Sequence, residues 1–243
     1  MEKPCPFRKG YAADLPIRPC HSWVMNWLAD TNNFIRLWLP ENLAANKRLL
    51  LMISREPLNV GWSLEGERWQ SSMHLLNRMR VEAQITPAEE AADLVLQVTN
   101  LSNEDWKQAF CGVCLQLAAA PDFADPMLER TYYPVEGVLG LVERKGRPRW
   151  ATISLVDRQR SDEGFIAVAS KSGKHTIAVG WTQVHALSGN NEACLCCIHA
   201  DPQLGDVLKG HTARARGRVY FMSGTPQEAY ERYRKDLQYL TET

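Results

Sequence analysis

Residues 78–85 read RMRVEAQI, and residues 93–99 read DLVLQVT. Polar and apolar residues alternate strictly in the first stretch and less strictly in the second. Successive side chains of a β-strand point to opposite faces, so this alternation is typical of a strand with one face in the core and one in water. The segment between them, residues 86–92, carries a proline and two acids. The two stretches are therefore predicted to form a long antiparallel hairpin.

Strand-like composition recurs along the rest of the chain. Further segments that alternate or are rich in β-branched and aromatic residues are 22–27, 34–39, 48–53, 110–117, 150–155, 165–169, 176–181, 194–199 and 214–221. Residues 40–48 are compatible with either a helical turn or a loop, and residues 121–130 with an ordered loop.

Only the C-terminal segment has clear helix signals. Thr225 is suited to the N-cap, Pro226 to the first helical position, and Glu228 to closing a capping box. Apolar residues then recur at helical spacing, at positions 230, 233, 237 and 240. The sequence predicts a helix over about 225–240 with its aromatic stripe packed on a sheet.

Many strands and almost no helix predict a mainly β protein, an antiparallel β-sandwich with one C-terminal α-helix. The chain has 243 residues, enough for a large two-sheet sandwich of the supersandwich kind, with one sheet bent and concave. Turn signals are irregularly spaced, so no fixed-period repeat is expected. We expect one domain over residues 1–243, with an N-terminal arm over about 1–20 and the helix over about 225–240.

Charge and composition exclude several classes of protein. Lys plus Arg number 28 and Asp plus Glu number 28, and this zero balance argues against a general nucleic-acid binder. The longest apolar stretch, residues 49–53, is far shorter than the ~20 residues of a membrane helix. The N-terminus lacks the features of a signal peptide, and the seven cysteines are expected to be reduced. We expect a cytoplasmic protein with neither a nucleic-acid nor a membrane partner.

The most site-like segment is residues 194–206, CLCCIHADPQLGD. His199 and Asp201 are two residues apart, so on a strand both project from one face, and Pro202 keeps Asp201 extended. A histidine beside a carboxylate can form a proton-transfer pair. We predict catalytic roles for His199 and Asp201, with His74 as their partner, and expect His199 to line a cavity. In the alternative, Asp201 caps a turn and His199 hydrogen-bonds a neighbouring strand.

Aromatic and cationic residues provide candidates for substrate binding. Sugar sites use flat aromatic faces against pyranose rings, together with side chains that hold hydroxyls or uronates. The candidates, flanked by polar residues or turn signals, are Trp69, Arg130, Tyr132, Tyr133 and Trp181. The phosphate-loop, dinucleotide, zinc-protease and nucleophile-elbow motifs are absent, so no cofactor is expected.

Several short motifs resemble those of a group of bacterial β-sandwich proteins of unassigned activity. They are VTNLSN at 98–103, APDFADP at 120–126, ERTY at 129–132, CIHADP at 197–202 and RGRVYF at 216–221, and the resemblance covers about residues 60–240. More distantly, the strand that ends in VTN is similar to one in galactose mutarotase-like β-sandwiches. These sandwiches include sugar epimerases, polysaccharide lyases and accessory domains of glycosidases. The resemblance implies the same fold and a carbohydrate-related function.

Three functions are therefore compared. The leading hypothesis is a carbohydrate-active protein that uses His/Asp proton transfer on a small-molecule or oligosaccharide substrate, in an epimerase-like or lyase-like reaction. The second is a non-catalytic carbohydrate-binding or accessory module that uses the same aromatic residues. The third is a divalent-metal-binding protein whose ligands are His74, His199 and Asp201, or Asp206 in its place.

Overall fold

A computed structural model of the chain describes residues 7–9, 22–27, 32–53, 61–142, 153–154, 163–190 and 196–242. The strands in these ranges, numbered along the chain, are β1 (Phe7–Lys9), β2 (Trp23–Trp27), β3 (Phe34–Ala45), β4 (Arg48–Met52), β5 (Ser63–Glu65), β6 (Arg68–Leu75), β7 (Met79–Ala88), β8 (Ala91–Asn100), β9 (Trp106–Gln116), β10 (Thr131–Val135), β11 (Val138–Leu141), β12 (Ile153–Ser154), β13 (Gly164–Ala169), β14 (His175–Trp181), β15 (Val184–Asn190), β16 (Cys197–Val207) and β17 (Thr212–Ser223). One helix, α1 (Pro226–Glu242), follows them.

These strands form two sheets in which every pairing is antiparallel. The eight-stranded sheet has the order β1-β2-β3-β9-β16-β15-β12, with β4 paired to β3. The nine-stranded sheet has the order β11-β10-β13-β14-β17-β8-β7-β6-β5. The predicted mainly β sandwich with a C-terminal helix is confirmed.

The hydrophobic core lies between the two sheets. Alternate residues of the eight-stranded sheet face it, including Leu37, Leu115 and Ile198, and alternate residues of the nine-stranded sheet meet them, including Val81 and Leu96. All five are at most 3 % exposed. Removal of this apolar surface from water is the main force that holds the sheets together, and it fixes which face of each strand is turned outward.

The hairpin predicted from residues 78–99 is confirmed, with a tighter turn than expected. β7 pairs with β8 from Met79↔Asn100 to Ala88↔Ala91, so most of residues 86–92 belongs to the strands. Only Glu89 and Glu90 form the turn, and Glu90 has a φ of 51°. A two-residue turn with a left-handed residue matches the twist of the flanking strands.

Helix α1 begins as its capping box predicts. The Thr225 backbone N–H donates to the Glu228 carboxylate at 2.7 Å, and the Glu228 N–H donates to Thr225 Oγ1 at 3.3 Å. Tyr230 and Tyr233 are buried against the outer face of the nine-stranded sheet, where they pack on Phe165. The helix therefore covers part of the outer face of the nine-stranded sheet, whereas the eight-stranded sheet lies on the other side of the core.

Several elements differ from the sequence predictions. Residues 40–48 form neither a helical turn nor a loop: they are mostly the end of β3 and the start of β4, joined at Asn46 and Lys47, both with positive φ. Six strands in the described ranges have no counterpart among the predicted strand segments: β1, β5, β6, β10, β11 and β15. Most of segment 150–155 and most of the expected N-terminal arm lie outside the described residues.

Four cysteines fall within the described ranges, namely Cys111, Cys114, Cys196 and Cys197, and all four are free and buried. Cys5, Cys20 and Cys194 lie outside the described residues, so the prediction of seven reduced thiols stays a prediction for those three. The described part of the chain contains no helix long and apolar enough to span a membrane.

Candidate active site on the eight-stranded sheet

His199 lies on the outer face of the eight-stranded sheet. The register pairs His199 with Cys114 and Cys114 with Trp38, so these three side chains project to one side. The neighbouring residues on the same strands project to the other side, into the core: Leu37, Leu115 and Ile198. We call the outward side, which carries Trp38, Cys114 and His199, the His199 face.

Two carboxylates and a thiol surround the imidazole of His199. Its Nδ1 atom is 4.0 Å from an oxygen of Glu41 and 4.0 Å from an oxygen of Asp201. Its Nε2 atom is 3.2 Å from the sulfur of Cys197. The side chains of His199, Asp201 and Glu41 are 15 %, 16 % and 31 % exposed. Each is therefore mostly buried but still in contact with solvent. Acidic and basic groups therefore lie together at a partly open surface.

Glu41 reaches His199 because β3 is bulged. Between the pairs Trp38↔Cys114 and Asn42↔Gly112, β3 advances four residues while β9 advances two. The Gly112 N–H donates to Asn42 Oδ1 at 3.2 Å, which anchors the end of the bulge. A Cβ atom at position 112 would overlap the Asn42 amide, so the close approach requires glycine there.

Asp201 is held by its own strand and by the next one. It lies two residues from His199 on β16, and its Oδ1 atom accepts a hydrogen bond of 3.0 Å from the Val113 N–H of β9. Burial raises the pKa of the Asp201 carboxyl to about 6, although the His199 charge and the Val113 N–H oppose the rise. Asp201 is therefore a carboxyl group that can exchange a proton near neutral pH.

The pKa values of His199 and Glu41 are raised as well. Burial lowers the pKa of His199, but the hydrogen bond with Cys197 and the negative charges of Cys197, Asp201 and Glu41 outweigh it and raise this pKa to about 9. Burial raises the pKa of Glu41 above its ordinary value, while the His199 charge opposes the rise. At neutral pH, His199 is the proton donor of the cluster and the carboxylates are the acceptors.

The thiols beside His199 offer a second kind of chemistry. The sulfurs of Cys114 and Cys197 and a ring nitrogen of His199 all lie within 4.8 Å of one another. A hydrogen bond to Cys197, together with burial, raises the pKa of the Cys114 thiol well above its ordinary value. Two thiolates and an imidazole are ligands that Zn²⁺ accepts, so these three residues could hold such an ion.

The structure does not bring His74 to His199. His74 is exposed on β6 of the nine-stranded sheet, between Met73 and Leu75, which face the core. The two histidines thus lie on outer faces of different sheets. Asp206, offered as an alternative metal ligand, instead accepts from Lys107 Nζ at 2.9 Å at an exposed site. A metal site built from His74 with His199 and Asp201 is therefore not formed.

The predicted substrate-binding residues are also separate from the His199 face. Trp181 is fully buried in the core, and Tyr133 is 7 % exposed. Trp69 packs on the core, with its ring centre 6.5 Å from that of Trp23. The Arg130 guanidinium donates to three backbone carbonyls, and Tyr132 is half-buried on β10 of the other sheet. These residues, apart from Tyr132, have packing or hydrogen-bonding roles in the fold.

A small cavity, too narrow to hold a water molecule, lies beneath the 121–130 loop, beside the start of β16. Its lining includes Cys196 and Cys197 but not His199. The buried Asp125 on its wall accepts from the backbone N–H groups of Glu129 and Arg130, which orders the loop. His199 thus lies on a partly open sheet face and not in the lining of this cavity.

Sequence reasoning missed Glu41, although it lies as close to His199 as Asp201 does. It follows a proline in a segment that was compatible with a loop, and only the register of β3 against β9 shows the bulge that aims it. An acid that interrupts a strand-like stretch directly after proline is the one local signal that could have drawn attention to it.

The fold and the site define a class: an antiparallel β-sandwich with a cluster of acids, thiols and a histidine on the outer face of one sheet. No protein-family model and no curated protein matches the sequence. A galactose mutarotase-like protein from Lactobacillus casei matches the structure with a TM-score of 0.51 at 9 % identity, over 86 % of this chain and 99 % of that chain. The α-N-acetylgalactosaminidase NagBb from Bifidobacterium bifidum, in a GalNAc complex, matches with a TM-score of 0.55 at 11 % identity, over 92 % of this chain and 37 % of that chain. The chain has the galactose mutarotase-like β-sandwich fold.

Proposed function

We propose that the protein acts on a carbohydrate by proton transfer at His199, with Asp201 and Glu41 as the carboxylate partners. The observation that carries this proposal is the position of one imidazole 4.0 Å from each of two carboxylates, on a partly open sheet face. An acid and a base within reach of one substrate are the minimum for general acid–base catalysis.

Both an epimerase-like and a lyase-like reaction need this pair of groups. At an anomeric centre, protonated His199 would give its proton to the ring oxygen as the bond from that oxygen to the anomeric carbon breaks. A carboxylate of Asp201 or Glu41 would accept the proton of the anomeric hydroxyl, so the ring opens without net loss or gain of protons. In a β-elimination, the carboxylate would remove a carbon-bound proton and His199 would protonate the leaving oxygen.

The fold supports a carbohydrate as the substrate. The Lactobacillus casei neighbour is described as galactose mutarotase-like, and the NagBb structure contains GalNAc. At 9 % and 11 % identity these likenesses concern the fold, so the residues of the His199 face supply the chemistry. An epimerase-like or lyase-like activity on a sugar combines the fold and the site most simply.

A non-catalytic sugar-binding module is the second candidate. This chain corresponds to only 37 % of the length of NagBb, so a sandwich of this kind can be one part of a larger glycosidase. The two candidates differ in what His199 does. For a binding module, His199→Ala would leave the affinity for a sugar nearly unchanged, and no turnover would be found in the wild type.

The test is a panel of monosaccharides and oligosaccharides, with turnover followed by NMR and binding by calorimetry. We expect His199→Ala to retain binding but to lose turnover, because the imidazole is used in the chemical step. Binding without turnover in the wild type would instead establish the accessory module. Elemental analysis of the purified protein addresses the third function: one zinc per chain, lost in a Cys114→Ser variant, would replace proton transfer by a metal site.

A further inference from the structure

A buried arginine lies on the His199 face. Arg36 of β3 pairs with Gln116 of β9, and Gln116 pairs with Cys197 of β16. Directly paired side chains project to one side of a sheet, so these three residues share the face of His199. Arg36 lies two residues before Trp38, which is in register with Cys114 and His199 across the sheet. The row Arg36–Gln116–Cys197 is therefore next to the row Trp38–Cys114–His199, about 7 Å away along the strands.

Among the described residues, the guanidinium of Arg36 has no partner for its charge. The residue is 6 % exposed, and its Nε and Nη1 atoms are buried without a hydrogen-bond partner. Burial is the sole cause of the lowered pKa of Arg36, so no acidic side chain among the described residues offsets its charge. A guanidinium stays protonated, and a buried, unpaired charge is strongly unfavourable.

The protein pairs another arginine that is buried to the same degree. Arg218 is 8 % exposed, and its guanidinium donates to Asp93 at 2.6 Å and to Asp236 at 2.7 Å. Both of those carboxylates belong to the chain itself. Burial alone therefore does not leave an arginine unpaired in this fold. The difference indicates that Arg36 is available to an anion that the described residues do not supply.

The spacing suits a single sugar unit. Arg36 on β3 and Cys197 on β16 are separated by two strand spacings, which is about 10 Å between their backbones. Cys197 in turn contacts the ring of His199. One sugar unit with its substituent spans a comparable distance, so it can present one end to His199 and the substituent at its other end to Arg36.

We infer that Arg36 binds an anionic group of the substrate, so that the protein acts on an acidic sugar, one that carries a carboxylate or a phosphate. The identity of the ligand as a sugar rests on the proposed function above. The guanidinium supplies charge-assisted hydrogen bonds to the anion, and the anion supplies the charge that the fold leaves unpaired. A neutral sugar at the same site would leave Arg36 buried, with no described residue to compensate its charge.

The experiment compares three arms of ligands: hexoses, hexuronates and hexose 6-phosphates, each at matched ionic strength. Binding is measured by calorimetry for the wild type, Arg36→Met and the control Arg80→Met, whose arginine is exposed on β7 of the other sheet. We expect the wild type to prefer one anionic arm, and Arg36→Met to bind that arm about 10–100-fold more weakly. Arg80→Met should match the wild type, and the preferred arm identifies carboxylate or phosphate.

Thermal unfolding without ligand gives a second readout. Because no described residue pairs with Arg36, Arg36→Met is expected to raise Tm, whereas loss of an arginine with a structural role would lower it. Should Arg36→Met fail to fold, that stabilisation is refuted, and Arg36→Lys then tests the anion site alone. Lysine keeps the charge but not the guanidinium donors, so weaker binding confined to the anionic arm supports the site, and unchanged binding overturns it.

The outcomes separate this inference from the proposed function. If neutral hexoses are turned over as well as the acidic sugars, the anion site is wrong and His199 chemistry stands. If acidic sugars bind through Arg36 but no turnover depends on His199, the anion site stands and the proposed catalysis falls. If Arg36→Met binds every ligand as the wild type does, the inference is overturned.

Discussion

Two residues of the site titrate on either side of neutrality. The pKa of Asp201 is about 6 and that of His199 about 9, because the cluster combines burial with mutual charge interactions. Catalysis that needs ionised Asp201 and protonated His199 is expected to follow a bell-shaped pH profile with limbs near pH 6 and pH 9. The profile of kcat/KM from pH 5 to 10 measures it. A rate that is flat across this range would contradict the assignment.

The same pKa shifts make the fold less stable as pH rises. The pKa of His199 is raised from 6.5, so its stabilisation is complete below pH 6.5 and is lost as pH rises through about 9. The pKa of Asp201 is raised from 3.8, so the unfolded state ionises first and stability falls between pH 4 and 6. We expect His199→Gln to flatten the fall between pH 6.5 and 9 in urea unfolding. An unchanged slope would show that His199 is not the group responsible.

Sequence reasoning succeeded at the residue scale where the spacing was local. His199 and Asp201 are two apart, and their side chains lie 4.0 Å apart on one face, as a strand requires. His74 was a different matter, because its distance from His199 depends on which sheet each strand joins. Its strand, β6, pairs with β7 at the far side of the other sheet, and no local pattern in the sequence contains that information.

At the scale of the element, the bulge of β3 is what brings Glu41 to His199. Gly112 makes room for the Asn42 amide that anchors this bulge, and a Cβ at position 112 would overlap it. Gly112→Ala is therefore expected to displace Asn42, to destabilise the fold by about 1–3 kcal/mol and to lower turnover. Chemical denaturation and kinetics together measure both effects.

Gly140→Ala is the matched control for that change. A Cβ at Gly140, on β11 of the other sheet, would meet nothing within 4 Å. We expect its free energy of unfolding to stay within about 0.5 kcal/mol of the wild type and its turnover to be unchanged. Equal effects of the two substitutions would mean that the bulge does not position Glu41.

For helix α1 we expect a substitution to lower stability without changing turnover. Its capping box contributes to stability, but the helix packs on the outer face of the nine-stranded sheet, away from the His199 face. Thr225→Ala is expected to lower Tm by about 2–4 °C and to leave turnover unchanged. Differential scanning calorimetry and a turnover assay check this pair of results. A large loss of turnover would show that the helix supports the site.

The start of helix α1 could be predicted from the sequence, and the bulge of β3 could not. The capping box is a local signal, since Thr225 and Glu228 contact each other across a single turn. The bulge of β3 exists because its two ends pair with β9 in different registers, at Trp38 and at Asn42. Residues about 70 positions apart decide that geometry, so the segment alone was compatible with a loop or a helical turn.

For the whole molecule, the sandwich followed from alternation and from the scarcity of helix signals, and the structure confirms it. The order of the strands did not follow, because the neighbours β3, β9 and β16 come from distant parts of the chain. That order is what creates the site: Arg36, Glu41, Cys114 and His199 lie on three adjacent strands of one sheet. The site is therefore a product of the topology, and its composition could be only partly predicted.

The most direct test compares two histidines of the same chain. His199→Gln and His74→Gln both remove an imidazole, one between two carboxylates and the other on an exposed strand of the other sheet. On the sugar that the wild type turns over, we predict that His199→Gln lowers kcat about 10²–10⁴-fold and that His74→Gln leaves it unchanged. Equal rates for the wild type and His199→Gln would contradict proton transfer at His199.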